Sequence, residues 1–155
     1  MIEQLLEFYY KYDTFQEAYL PEERVKRIYQ FMLDRNRLHI YQVDGKLLGY
    51  GESWRINYEQ FGRIICGHNL YKHIEDEDIL TGNIAYLANV TIHPNWRNKT
   101  VLNILRNDFF TKNYVCDYFV GHAKRKKTQP VKVFTRAIAF QKWCKESKNE
   151  EQEVI

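Results

Sequence analysis

Residues that break regular structure are scarce in this chain: 7 glycines and 3 prolines among 155 residues. That scarcity excludes a collagen-like, Pro-rich or Gly/Ser-linker character, and no internal repeat or domain linker stands out. Cysteine is scarce as well. Cys66, Cys116 and Cys144 lie far apart, form no CxxC pair and are odd in number, so zinc-type spacing is absent and reduced thiols in a cytoplasm-like compartment are expected. No stretch approaches the roughly 18 apolar residues of a membrane span. Met1–Tyr12 carries Glu3 and Glu7 where a signal peptide needs an unbroken apolar run. The expectation is a soluble, cytoplasmic protein. Charge of one sign is also lacking in bulk: a formal net charge of +3 does not argue by itself for nucleic acid.

What the chain holds in quantity is aromatic rings, 12 Tyr and 9 Phe. Rings are large packing units, some of them half-buried, and their exposure leaves self-association and oligomeric state open. Residues 1–143 read as one domain with a sizeable core, and 144–155 as a polar C-terminal tail.

The apolar pattern then assigns elements. Ile2, Leu5, Leu6, Tyr9 and Tyr10 recur at helical spacing. Pro21 opens a second helix, with Glu22 and Glu23 at the positive end of its dipole and Asn36 as its stop. Leu38–Val43 and Leu47–Ile56 read as strands around Asp44-Gly45-Lys46, a hairpin signal because Gly tolerates the positive φ of a tight turn. Ile84–Ile92 is the candidate central strand, ended by His93-Pro94-Asn95, and Arg97–Phe110 reads as the helix after it. Tyr114–Val120 and Val131–Phe134 complete the strands, followed by an aromatic end at Phe140 and Trp143. The acidic run Glu75-Asp76-Glu77-Asp78 reads as a solvated loop, since contiguous carboxylates rarely converge on one ion.

One segment carries a specific chemical suggestion: Val90-Thr91-Ile92-His93-Pro94-Asn95-Trp96-Arg97-Asn98-Lys99-Thr100-Val101-Leu102-Asn103-Ile104-Leu105. A strand that feeds directly into a helix presents unpaired backbone N–H groups at the positive end of the helix dipole, a setting that suits a pyrophosphate. Arg97 and Lys99 would add charge-assisted contacts. The segment resembles the coenzyme loop of the GCN5-related N-acetyltransferase (GNAT) family, written V-x-V-x-P-x-x-R-G-K-G-x-G-x-x-L-L. The order of elements is similar as well.

That resemblance implies an α/β fold with a mixed, mostly antiparallel central sheet flanked by helices. It implies an acyl-CoA-dependent N-acetyltransferase that takes acetyl-CoA, with the pantetheine arm along Ala88–Ile92. Val90, Thr91, Ile92, Arg97, Asn98, Lys99, Thr100, Val101 and Leu102 would hold the coenzyme, and the acceptor would be an amine on a small molecule or a protein. The loop departs from the family at Thr100 and Leu102, which stand where small residues let phosphates approach the backbone. Thr100 offers a hydroxyl in compensation. Leu102 either narrows the site or faces the core.

Acyl transfer needs a base, donors for the thioester oxygen and an acid for the leaving thiolate. The family often places a Glu on its central strand, and Ile84–Ile92 contains none. Glu52 on the hairpin and Tyr86 near the strand start are the candidate catalytic groups; the competing readings are a solvent-facing strand residue and a core tyrosine. The family's late Tyr has only Phe140 as its rough counterpart. Cys116 reads as packing, and His93 as a turn residue or a ligand contact. Lys124–Lys127 reads as a solvated basic turn, a clamp on the coenzyme 3′-phosphate or a contact for an anionic protein, with nucleic acid the weaker partner. The alternative to an enzyme is a catalytically inactive GNAT-shaped binding or structural protein, such as a viral or mobile-element accessory protein. An open cleft between Ala88–Ile92 and Tyr118–Val120 would favour the enzyme, and side chains filling it would favour the scaffold.

Overall fold

A computed structural model describes residues 1–13, 20–67, 81–122 and 131–153, with side chains through Cys144. The elements run α1 (Ile2–Tyr12), α2 (Glu22–Asp34), β1 (Leu38–Val43), β2 (Lys46–Ile56), α3 (Tyr58–Ile65), β3 (Ile84–Ile92), α4 (Lys99–Lys112), β4 (Tyr118–His122), β5 (Val131–Thr135) and α5 (Arg136–Glu153). The strands form one sheet in the order β1-β2-β3-β4-β5. Pairing is antiparallel at β1–β2, β2–β3 and β4–β5, and parallel at β3–β4.

Local chemistry explains most of the boundaries. Pro21 caps α2, and Glu22 and Glu23 occupy its first turn. Asn36 leaves the helix at φ 55°, in the left-handed region that Asn tolerates. Asp44 (φ 51°) and Gly45 (φ 75°) both take positive φ in the β1–β2 turn, the geometry whose twist matches a hairpin. α3, which the sequence pattern does not mark as a helix, starts from a reciprocal cap: Asn57 accepts from the Gln60 N–H and Gln60 from the Asn57 N–H.

The sheet separates two cores because neighbouring residues on a strand face opposite ways. On one face Tyr50, Trp54, Ile56, Ile84, Tyr86, Ala88 and Val120 pack against α1, α2 and α3. On the other, Ala85 and Phe119 pack against Phe109 and Phe110 of α4 and Trp143 of α5. Burying each such ring stabilises the fold by about 1.5–3 kcal/mol.

Several boundaries differ from the sequence expectation. α4 begins at Lys99 rather than Arg97, because Pro94–Trp96 forms a 3-10 turn in which His93 Nδ1 accepts the Asn95 N–H. The fourth strand begins at Tyr118 rather than Tyr114: Tyr114 and Val115 are exposed in a turn, closed by the Cys116 N–H on the Asn113 carbonyl. It also runs on past Val120 to His122. The last helix, α5, runs from Arg136 to Glu153. Glu75–Asp78 and Lys124–Lys127 lie outside the described residues. Among the described residues no helix is long and apolar enough to cross a membrane.

Candidate ligand cleft

β3 and β4 pair over four rungs, from Ile84 with Tyr118 to Leu87 with Gly121. β4 ends one residue later, whereas β3 runs on to Ile92. A β-bulge marks the same place: Glu52 faces Asn89 and Ser53 faces Leu87, so Ala88 has no opposite number on β2. A bulge bends its strand and raises its twist, which turns the second half of β3 away from β4. A cleft of about 590 Å³ opens there, within the range of small-molecule sites.

The cleft passes through the sheet. Leu87, Phe109, Phe134 and Trp143 line it and belong to the α4–α5 side, whereas Ala88 and Val120, also in its wall, belong to the α1–α3 side. Cations gather on the α4–α5 side: Arg97, Lys99 and Arg106 from α4 and its approach, Lys132 from β5 and Lys142 from α5. The first turn of α4 adds its dipole. Asn98 caps the helix by accepting the Val101 N–H at 2.9 Å, and its carbonyl accepts the Leu102 N–H. The Lys99 and Thr100 N–H groups precede the first intrahelical bond. Such an opening attracts an anion, a phosphate above all.

No family model matches the chain, and no curated protein matches it. Among solved structures it is similar to the GphF GNAT-like decarboxylase in complex with isobutyryl-CoA, with a TM-score of 0.53 at 15% identity, over 77% of this chain and 60% of that one. The fold is GNAT-like. A second similar structure is the loading GNATL domain of CurA from Lyngbya majuscula, with a TM-score of 0.47 at 15% identity, over 78% of this chain and 59% of that one. The chain thus matches about three fifths of the length of these two structures.

Of the nine residues expected at the coenzyme loop of this GNAT-like domain, Val90, Ile92, Arg97, Asn98, Lys99 and Leu102 line the cleft. Leu102 lies half-buried in its wall. Thr91, Thr100 and Val101 do not line it. Thr91 is buried on the α1–α3 side and takes part in a hydrogen bond with Asn89. Val101 is buried with Ile92 and Leu105, and Thr100 is exposed. Arg97 is partly committed, its Nε donating to the Ile92 carbonyl at 3.1 Å.

The candidate catalytic groups separate. Glu52 is 0% exposed, against the solvent-facing reading; it stands opposite Asn89 on the α1–α3 side and is not among the residues lining the cleft. Burial, with the charges of Glu52 and Asp13 beside it, pushes the Tyr50 hydroxyl well above its ordinary pKa. Tyr86 is a core tyrosine whose hydroxyl shares a 2.7 Å hydrogen bond with His122 Nε2, and His122 does line the cleft. Cys116 is buried packing, its thiol pushed up by burial against the lowering pull of Arg55 and Arg37. Phe140 is exposed.

Sequence reasoning missed His122, Arg106, Lys132 and Lys142. Arg106 was recoverable, being on the helix face of Lys99 and Leu102. His122 lies two residues beyond the expected end of its strand, and no spacing marks it.

A second polar cluster lies beneath α4. His39 Nδ1 donates to Asp108 Oδ2 at 2.8 Å, and Ser53 Oγ lies 2.8 Å from His39 Nε2. Asn113 Nδ2 donates to Ser53 Oγ at 3.2 Å, and Lys112 reaches Asp108 at 3.1 Å. The trio resembles a hydrolytic triad in order alone. Ser53 and His39 are 0% exposed and are absent from the cleft wall, so no substrate carbonyl reaches them. The cluster clamps α4 to β1 and β2.

Proposed function

We propose that the cleft binds an acyl-coenzyme A and that the domain passes the acyl group to an amine. The observation carrying this reading is the parting of β3 from β4 at Leu87 and Gly121, with cations and a helix N-terminus at one mouth. The residues present fit the coenzyme. The Lys99 N–H group, with the Arg97 and Lys99 side chains, suits the pyrophosphate. The free edge of Ala88–Ile92 offers backbone groups to an amide-bearing arm, as an open sheet edge does. Lys132 and Lys142 add further positive charge to the wall. When bound, the coenzyme supplies a thioester whose acyl carbon is open to attack by an amine. The similar structure bound to isobutyryl-CoA supports the ligand class, and it leaves the acyl length to experiment.

A second reading is a GNAT-shaped binding protein without turnover. It is favoured by Leu102 in the cleft wall where the family resemblance implies a glycine, and by the absence of Glu52 from that wall. Calorimetry of acetyl-CoA and isobutyryl-CoA against the wild type and Arg97→Ala separates the outcomes. Micromolar binding weakened by the substitution supports the acyl-CoA reading. No heat at millimolar coenzyme from folded protein ends it.

A further inference from the structure

We infer that His122 is the proton-transfer group of the cleft and that Tyr86 is the residue that positions it. The inference rests on the acyl-CoA reading above. His122 is the residue immediately after the last β3–β4 rung, so it stands where the strands part. By strand alternation it faces the α1–α3 side with Val120, whereas the Arg97, Lys99 and Arg106 cations belong to the opposite side. Phosphates drawn to that cationic mouth would place the acyl end of a threaded ligand near the imidazole, and an amine acceptor would approach from the α1–α3 side.

The chemistry of the wall narrows the choice. Among the described residues lining the cleft there is no carboxylate, and His122 is the one imidazole. Of the side-chain types present, imidazole is the one suited to exchanging a proton near neutrality. Tyr86 gives it a fixed seat. The two rings meet edge to face at 5.7 Å, the hydroxyl is 2.7 Å from Nε2, and Tyr86 is itself held edge-on against Trp54 at 5.9 Å. On the α1–α3 face, Asp13 accepts from Asn89 in the cleft wall and Glu52 stands opposite Asn89 on β2, while Lys132 lies on the rung opposite Gly121. In the transfer step His122 accepts the proton shed by the amine as its nitrogen bonds the thioester carbon. It returns that proton to the sulfur as the carbon–sulfur bond breaks, leaving an amide and the coenzyme thiol.

The test uses wild type, His122→Gln and Tyr86→Phe, with acetyl-CoA as donor and hydroxylamine as the amine probe, reading hydroxamate formation above the uncatalysed background. Acetyl-CoA affinity by calorimetry should stay within about twofold across the three, while kcat falls about 100-fold or more in His122→Gln. In Tyr86→Phe, kcat should fall about tenfold with KM unchanged. The imidazole nitrogen shifts of His122 should report one tautomer in the wild type and a mixture in Tyr86→Phe, a change that a merely structural role would not produce. Equal turnover in His122→Gln and wild type, including none in either while acetyl-CoA binds both, overturns the inference. Failure of acetyl-CoA to bind folded wild type instead removes the acyl-CoA reading on which it stands.

Discussion

His39 on β1 and Asp108 on α4 lie 69 residues apart in sequence, and their side chains meet at 2.8 Å. The contact joins an outer strand to the helix whose first turn forms the cationic mouth of the cleft. Burial pushes the His39 pKa down; the Asp108 hydrogen bond and charge oppose this, and the Lys112 and Arg37 charges add to the lowering. Burial pulls Asp108 up, but hydrogen bonds and charges from His39 and Lys112 outweigh it and hold the carboxyl below its ordinary value.

Both shifts have the same consequence for stability. A group whose folded pKa is depressed binds its proton more readily when unfolded, so stability falls as pH falls. For His39 the loss begins near 6.5 and continues down to its lowered folded value, and for Asp108 it begins near 3.8. Thermal melts from about pH 7.5 down to about pH 5 should therefore show a falling Tm, and His39→Gln should flatten that slope. Parallel curves for the two proteins would refute the assignment.

Ser53→Ala removes a buried hydroxyl that meets both His39 Nε2 and the Asn113 amide. Leaving such groups unpaired costs about 1–3 kcal/mol. Urea denaturation should show a lower midpoint by that amount with an unchanged m-value. Coenzyme affinity, measured on the folded protein, should hardly move, because Ser53 is not in the cleft wall.

Gly121 offers a way to close the cleft without disturbing the core. A Cβ built there meets only Leu87 Cβ, at 4.0 Å, and the residue lines the cleft at its apex. Gly121→Leu should fold, with a Tm near that of the wild type, and should weaken acetyl-CoA binding about tenfold or more by filling the space. Undiminished affinity would place the ligand elsewhere.

Lys99 stands at the first turn of α4 in the cleft wall. Lys99→Glu should weaken acetyl-CoA binding about tenfold at low salt, and raising the salt should narrow the gap to wild type by screening the lost attraction. Calorimetry at two ionic strengths reads both effects.

Gly82 contributes to the fold through close approach alone. A Cβ there would overlap the Ile56 carbonyl, at the point where the Gly82 N–H donates to the Arg55 carbonyl at 3.1 Å. Gly82→Ala should lower the unfolding free energy by about 1–3 kcal/mol through backbone displacement. A melting temperature equal to wild type would show that the segment shifts freely.

The elements legible in the sequence were those set by local physics. Asp44-Gly45 specified the hairpin because few residue pairs accept two positive φ angles, and the β-branched, apolar run Ile84–Ile92 marked the central strand to the residue. The end of that strand at His93-Pro94 was likewise readable, whereas the helix start, read at Arg97, lies at Lys99 after a 3-10 turn. Position across the sheet was decided only by the tertiary structure. Glu52 and Ser53 are adjacent in sequence, yet alternation sends one to the α1–α3 side beside Tyr50 and the other beneath α4. His122 became a site residue only because β4 ends where β3 bulges away. Register and the parting of strands depend on residues far apart in the chain, and no local pattern encodes them.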